Sequence, residues 1–153
     1  MAYWLMKSEP TVYSITDLER DGETLWDGVR NYQARNYLRQ MVPGDLAFFY
    51  HSNSTPPGIV GLMTVAQTQV VDPSQFDPAG RYYDPKSTPE TPRWSTVTVT
   101  HRATFAETLT LDTLRREFTP EELAVVRQGN RLSVLPVTPT AAGRILALAG
   151  YTP

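Results

Sequence analysis

The sequence predicts one α+β domain, a mixed and mostly antiparallel barrel or curled sheet of about five or six strands flanked by helices. Three observations carry this. Strand-like runs recur along the chain, several of them adjacent. Helical periods with recognisable caps are interspersed. No strict alternation of strand and helix runs through the chain, as an all-parallel sheet would need. With 153 residues, 41% apolar and 20% charged, the expectation is a single domain, 1–153, that buries roughly two thirds of its unfolded surface.

Residues 2–7 read as an aromatic, apolar strand that Ser8-Glu9-Pro10 ends, since the residue before proline avoids the helical region. Ser14 is placed to cap a short helix over 15–20, with Asp17 in its first turn. Asp21-Gly22 turns the chain into an extended piece at 24–26. Ala34, Tyr37, Leu38 and Met41 recur at three and four, predicting a helix over 31–41 that Pro43-Gly44 stops. Residues 45–52 form a dense strand, 53–58 a loop, and 59–71 a further strand with Gly61 as a bulge or close-approach point.

Residues 72–93 hold five prolines and no period. A loop this long in a compact domain is often functional, for example as a lid. Residues 94–100 alternate as a half-buried strand that continues to about 107. Thr110 can cap a short helix through 118. Thr119-Pro120-Glu121-Glu122 predicts another helix start, with Pro at its first position and Glu at its third. Residues 132–137 read as a strand, and Thr138-Pro139 opens a final helix ending at Gly150.

The functional signal sits in Trp26-Asp27-Gly28-Val29-Arg30-Asn31-Tyr32-Gln33-Ala34-Arg35-Asn36. Two aromatics, two arginines, two asparagines, a glutamine and an aspartate crowd eleven residues, without the apolar period of a core segment. His51-Ser52-Asn53 is a second polar cluster. Flat aromatics, amides and guanidinium forks stack on and hydrogen-bond to a planar polar ligand.

Composition narrows the chemistry. The absence of cysteine excludes disulfides and thiolate catalysis. His51 and His101 lie far apart with no zinc-ligand spacing, and no glycine-rich phosphate loop is present. Ser52 and His51 are neighbours that point to opposite strand faces. The reading is noncatalytic, with no cofactor and no metal. A net charge of −2 argues against strong nonspecific nucleic-acid binding, though Arg30, Arg35 and Arg39 fall in a stretch without acids. No signal peptide and no apolar stretch of membrane length are evident, so a cytoplasmic protein with no membrane partner is expected. The excess of arginine over lysine hints at a bacterial source.

Lys7-Ser8-Glu9-Pro10, the run from Trp26 to Asn36, Phe48-Phe49-Tyr50-His51-Ser52-Asn53, Pro57-Gly58-Ile59-Val60-Gly61, Tyr83-Asp84-Pro85 and Pro92-Arg93-Trp94 together resemble the EVE-domain family, across essentially the whole chain. The resemblance implies a PUA-like curled β-barrel. It also implies kinship with YTH domains, which read N6-methyladenine in RNA through an aromatic cage. A pocket for a modified base follows, with modified cytosine foremost and methylated adenine next, in DNA or RNA. Unlike the eukaryotic members, the chain carries no basic tail before its first strand, which argues against nuclear targeting and tight nonspecific DNA binding.

The candidate pocket residues are Lys7, Ser8, Trp26, Asn31, Tyr32, His51, Ser52, Asn53 and Trp94, and the candidate phosphate contacts are Arg30, Arg35 and Arg39. Trp26 and Trp94 would be stacking walls or core residues. Asn31 would meet a base edge or cap its helix. Ser8 and Ser52 would bind ligand or close turns. Asn53 could likewise meet a base edge, Tyr32 would stack or pack, His51 would bond a ligand or the backbone, and Lys7 would be solvated unless, as the resemblance implies, it serves the pocket or a phosphate. The arginines would either clamp phosphates or form a solvated helix face or salt bridges to Asp27 or Glu9. The competing functions are an enzyme or sensor for a small nucleotide-like ligand, and a protein-interaction domain.

Overall fold

The computed structural model describes residues 1–152, and apolar alternation along its strands dictates the layering. In β1 (Tyr3–Ser8), Leu5 packs into one core cluster while Trp4 and Met6 pack into another. This is the two-residue period of a strand buried on both faces. β3 (Leu46–His51) repeats it, with Phe48 and Tyr50 in the first cluster and Ala47 and Phe49 in the second.

The other elements are α1 (Ile15–Asp21), β2 (Glu23–Leu25), α2 (Tyr32–Gln40), β4 (Gly58–Val71), β5 (Ser95–Thr110), α3 (Leu111–Glu117), β6 (Val134–Val137) and α4 (Pro139–Leu148). Residues of α1 and α2 bury against the second cluster, those of α3 and α4 against the first.

Six strands make one sheet in the order β2-β5-β4-β3-β1-β6. The β1–β3 pair is parallel and the remaining pairs are antiparallel, the mixed and mostly antiparallel sheet expected from the order of strands and helices. The expected barrel is not formed. β2 and β6 end the order, with three and four residues, and each has its ladder with a single neighbour, so the sheet stays open. Register shifts recur along the β4–β5 ladder, and such bulges bend the strands that carry them. Gly61 sits at one of them, where a Cβ would lie 2.5 Å from the Ala103 carbonyl oxygen.

Four helices begin where their caps predict. Ser14 and Asp17 form a reciprocal capping box on α1, and Asn31, Thr110 and Thr138 accept from the third residue beyond them on α2, α3 and α4. The helix expected after Thr119 is a correction. Its reciprocal cap closes, with Thr119 N–H donating to Glu122 Oε1 at 2.9 Å. Leu123 is nevertheless extended, and only a 3-10 turn at Ala124–Val126 follows. Leu123, Val125 and Val126 all bury into the core here, which a short turn achieves and one stripe of an α-helix does not. Among the described residues no helix is long and apolar enough to cross a membrane.

Candidate functional site

The parallel pairing of β1 and β3 sets Ser8 beside His51. The ends of two strands therefore deliver residues 7–8 and 52–53 to one rim. Together with the β2–α2 connection, Arg81-Tyr82 of the long loop, Arg131 and Ser133, they enclose a cavity of about 710 Å³. That volume lies within the roughly 300–1,000 Å³ of small-ligand sites. Lys7, Arg30, Arg81 and Arg131 line it against Glu9 and Asp27, so cations prevail locally in a chain of net negative charge.

Of the expected pocket residues, Lys7, Ser8, Trp26, Ser52 and Asn53 line the cavity. Trp26 is 7% exposed, its ring edge-on to Phe49 at 5.3 Å between centroids. It is held from behind by a hydrogen bond from the Thr96 hydroxyl to its carbonyl. It thus serves core and cavity wall at once. Lys7 is half-buried, and burial lowers its pKa. No carboxylate lies within salt-bridge distance among the described residues. Its ammonium has only a long 3.5 Å contact to the Asn130 carbonyl and lies 5.7 Å from the Tyr50 ring centroid. Most of its three donors are free. Ser8 Oγ donates to the Tyr13 carbonyl at 2.6 Å, and Asn53, with φ of 49°, reaches Glu9 at 3.4 Å.

The remaining expected residues lie off the cavity lining. Asn31 caps α2, its Oδ1 accepting from Ala34 N–H at 3.0 Å. His51 Nε2 accepts from the Ile15 N–H at 3.1 Å, and burial lowers its pKa. That bond satisfies one of the free donors at the start of α1. Trp94 is buried beneath Tyr32, the two rings stacked at 4.8 Å, and its indole N–H donates to Asp84 at 2.8 Å.

Arg30 borders the cavity, yet all five of its donors are engaged, by Tyr82 O, Val29 O, Asp72 and Ser74. Its partner is Asp72, 1% exposed, and not Asp27 or Glu9. Asp72 also accepts the Gly28 N–H at 2.9 Å. These hydrogen bonds, those from Ser74 included, hold its pKa below the usual carboxylate range although burial opposes them. Arg35 lies over the Tyr32 ring at 4.7 Å, and with Arg39 it donates to the Arg93 carbonyl. Burial and the charge of Arg39 both disfavour the protonated form of Arg35. No acid within salt-bridge distance offsets Arg35, Arg39 or Arg93 among the described residues. They form a basic ridge around an exposed tyrosine.

Sequence reasoning missed Asp27, Arg81, Tyr82, Arg131 and Ser133 as lining residues. Asp27 stood inside the polar run and Arg81-Tyr82 inside the loop singled out for its length, so a signal existed for these. Ser133 arrives through pairing of its carbonyl with the Lys7 N–H at 2.8 Å, a contact that local sequence does not announce. The loop itself folds around Gln75, which is fully buried. Gln75 bonds the Asp72 and Trp94 carbonyls, the Ser87 hydroxyl and the N–H groups of Arg93 and Trp94.

Fold and site define a class: an α+β domain with an open six-stranded sheet and a cation-rich cavity of small-ligand size at the ends of its parallel strand pair. The chain belongs to the EVE-domain family, whose model matches residues 2–148. It is 40% identical to rat thymocyte nuclear protein 1 over 169 aligned positions, covering 99% of this chain and 75% of the relative. A Pseudomonas syringae protein of known structure superposes with a TM-score of 0.93 at 48% identity, covering 97% of this chain and 99% of the other. The human THYN1 protein, crystallised in complex with 5-methylcytosine-containing DNA, superposes with a TM-score of 0.92 at 37% identity over the full length of both chains.

Proposed function

We propose that this chain is a noncatalytic reader of modified cytosine in DNA, taking one base into the cavity beside Trp26. The observation that carries the reading is the cavity's pairing of an aromatic wall with Lys7, a half-buried ammonium that has no acidic partner. A cation without a partner costs free energy in the fold alone. A ligand oxygen or ring nitrogen offsets that cost. The complex of the human relative with 5-methylcytosine-containing DNA supports the same ligand class. A base read singly leaves its stack; an aromatic neighbour returns roughly 1–3 kcal/mol of stacking. Outside the cavity, Arg81 and Arg131 at the rim and the Arg35–Arg39–Arg93 ridge are suited to phosphates, whereas Arg30 holds the loop.

The test is fluorescence anisotropy at fixed, moderate salt. Labelled oligonucleotides would carry cytosine, 5-methylcytosine, 5-hydroxymethylcytosine, adenine or N6-methyladenine, in DNA and in RNA. A preference of about tenfold, 1.4 kcal/mol, for a modified cytosine in DNA that Trp26→Ala abolishes is the expected result. A preference for methyladenine or for RNA would reassign the ligand. Uniform, weak and steeply salt-dependent binding would sink base reading.

A further inference from the structure

Two groups of opposite charge line the cavity without touching each other. Lys7 brings a nearly free ammonium. Asp27 brings an exposed carboxylate whose one polar interaction is with its own backbone N–H; it forms no salt bridge among the described residues, Lys7 included. Asp72, its acidic neighbour, is consumed by Gly28, Arg30 and Ser74; Asp27 meets no other residue's donor within hydrogen-bond distance among the described residues and keeps acceptor capacity for a ligand. Partial loss of water and the nearby Asp72 charge push the Asp27 pKa up, against the pull of its own backbone N–H and of Arg30, while the side chain keeps an exposed face from which a ligand donor can reach it.

Resting on the reading of the cavity as a base site, we infer that Asp27 and Lys7 form an edge-reading pair that selects amino bases over keto bases. The physical argument is complementarity. A cytosine edge offers an amino donor beside a ring-nitrogen acceptor, so it satisfies a carboxylate and an ammonium together. Thymine and uracil present a carbonyl and an N–H in the reverse order. Against Asp27 the thymine O4 sets acceptor to acceptor, and against Lys7 its N3–H sets donor to donor. A site built to hydrogen-bond one pattern rejects the reversed one strongly, because its own polar groups are then left unpaired. Thymine and 5-methylcytosine share the 5-methyl group, so no pocket for that methyl separates them; the edge pair does. Adenine shares cytosine's amino and ring-nitrogen pattern, so the pair leaves discrimination between those two bases to the size of the site.

The experiment is competition anisotropy with DNA strands identical except for one position, which is 5-methylcytosine, thymine or adenine. The wild-type protein is compared with Asp27→Asn and Trp26→Ala. Asp27→Asn is isosteric, keeps an oxygen for the residue's own backbone N–H and breaks no salt bridge, and a thermal melt checks that the fold persists. The expected result is at least tenfold preference of the wild type for 5-methylcytosine over thymine, reduced to within about threefold in Asp27→Asn, whose amide can donate to O4. Retention of the full preference by Asp27→Asn would overturn the edge pair while leaving base reading intact. Absence of any preference in the wild type, with Trp26→Ala unchanged from it, would overturn both.

Discussion

The Asp72 carboxylate accepts the Gly28 N–H at 2.9 Å across 44 residues of sequence. One buried side chain thereby ties the segment that carries Trp26 and Asp27 to the loop that carries Arg81 and Tyr82. The same carboxylate holds Arg30 at 3.0 Å, and Arg30 holds the Tyr82 carbonyl through two nitrogens. The wall and rim of the cavity are one hydrogen-bonded unit.

Removing Asp72 breaks that unit and strands a guanidinium. Asp72→Ala is expected to cost about 3 kcal/mol, the low end of the range for a broken buried pair, because Arg30 keeps some exposure. Urea denaturation measures it. A loss under about 1 kcal/mol would show that water replaces the carboxylate cheaply.

Gly28 has φ of 83°, and a Cβ there would lie 2.6 Å from the Tyr82 ring. Gly28→Ala therefore strains the backbone and displaces Tyr82. We expect about 1–3 kcal/mol of destabilisation together with weakened base binding. Tyr82→Ala in the Gly28→Ala background relieves the clash but not the backbone, so the double variant should recover only part of the stability.

For Lys7 the predicted signs oppose each other. Lys7→Met removes a partly buried charge that has no partner, so stability is unchanged or raised, while affinity for a 5-methylcytosine strand falls by about tenfold or more. Melting and anisotropy on the same preparation test this. A variant that loses stability and keeps affinity would make Lys7 a structural residue.

Acid sensitivity should reveal His51. Its folded pKa lies below the usual 6.5 because of burial, so the unfolded chain takes up the proton first. The associated stability is fully present above about pH 6.5 and is lost as pH falls toward the lowered folded value. Asp72 and Asp45, whose folded values are also depressed, lose theirs only in the more acidic carboxylate range. Chemical denaturation at pH 7.5 and 5.5 should therefore show a drop in the wild type that His51→Gln lacks. An equal drop in both would assign it elsewhere.

The Arg35–Arg39 ridge is expected to act through phosphates. Arg35→Ala with Arg39→Ala should weaken binding to all strands alike and flatten the salt dependence of log K by about two units, one per lost phosphate contact. An unchanged slope would leave the ridge without a role in binding.

The caps of α1 to α4 and most strands were legible because each depends on residues a few positions apart, as Ser14 and Asp17 show. The lining of the candidate cavity was half legible. Lys7, Trp26 and Ser52 stand at strand ends where polar and aromatic residues interrupt an apolar pattern. Asn31 and His51 were ambiguous in kind, since an amide or imidazole beside a helix start serves a cap as readily as a ligand, and here both meet backbone N–H groups. Trp94 stacks on Tyr32 from 62 residues away; nothing local distinguishes that partner from a base. Sheet closure was not legible either, because it depends on whether β2 and β6 reach each other.

The knot of bonds around Gln75 has a kinetic consequence. A segment of this length would ordinarily surrender conformational freedom when a ligand arrives. Here much of that freedom is already spent, since one buried amide ties both ends of the loop and Ser87 together. A ligand then has less ordering of this loop to impose. On the proposed reading, the slow step of recognition then falls to the DNA, in the rate at which a base leaves its stack, and single-stranded regions would be bound fastest.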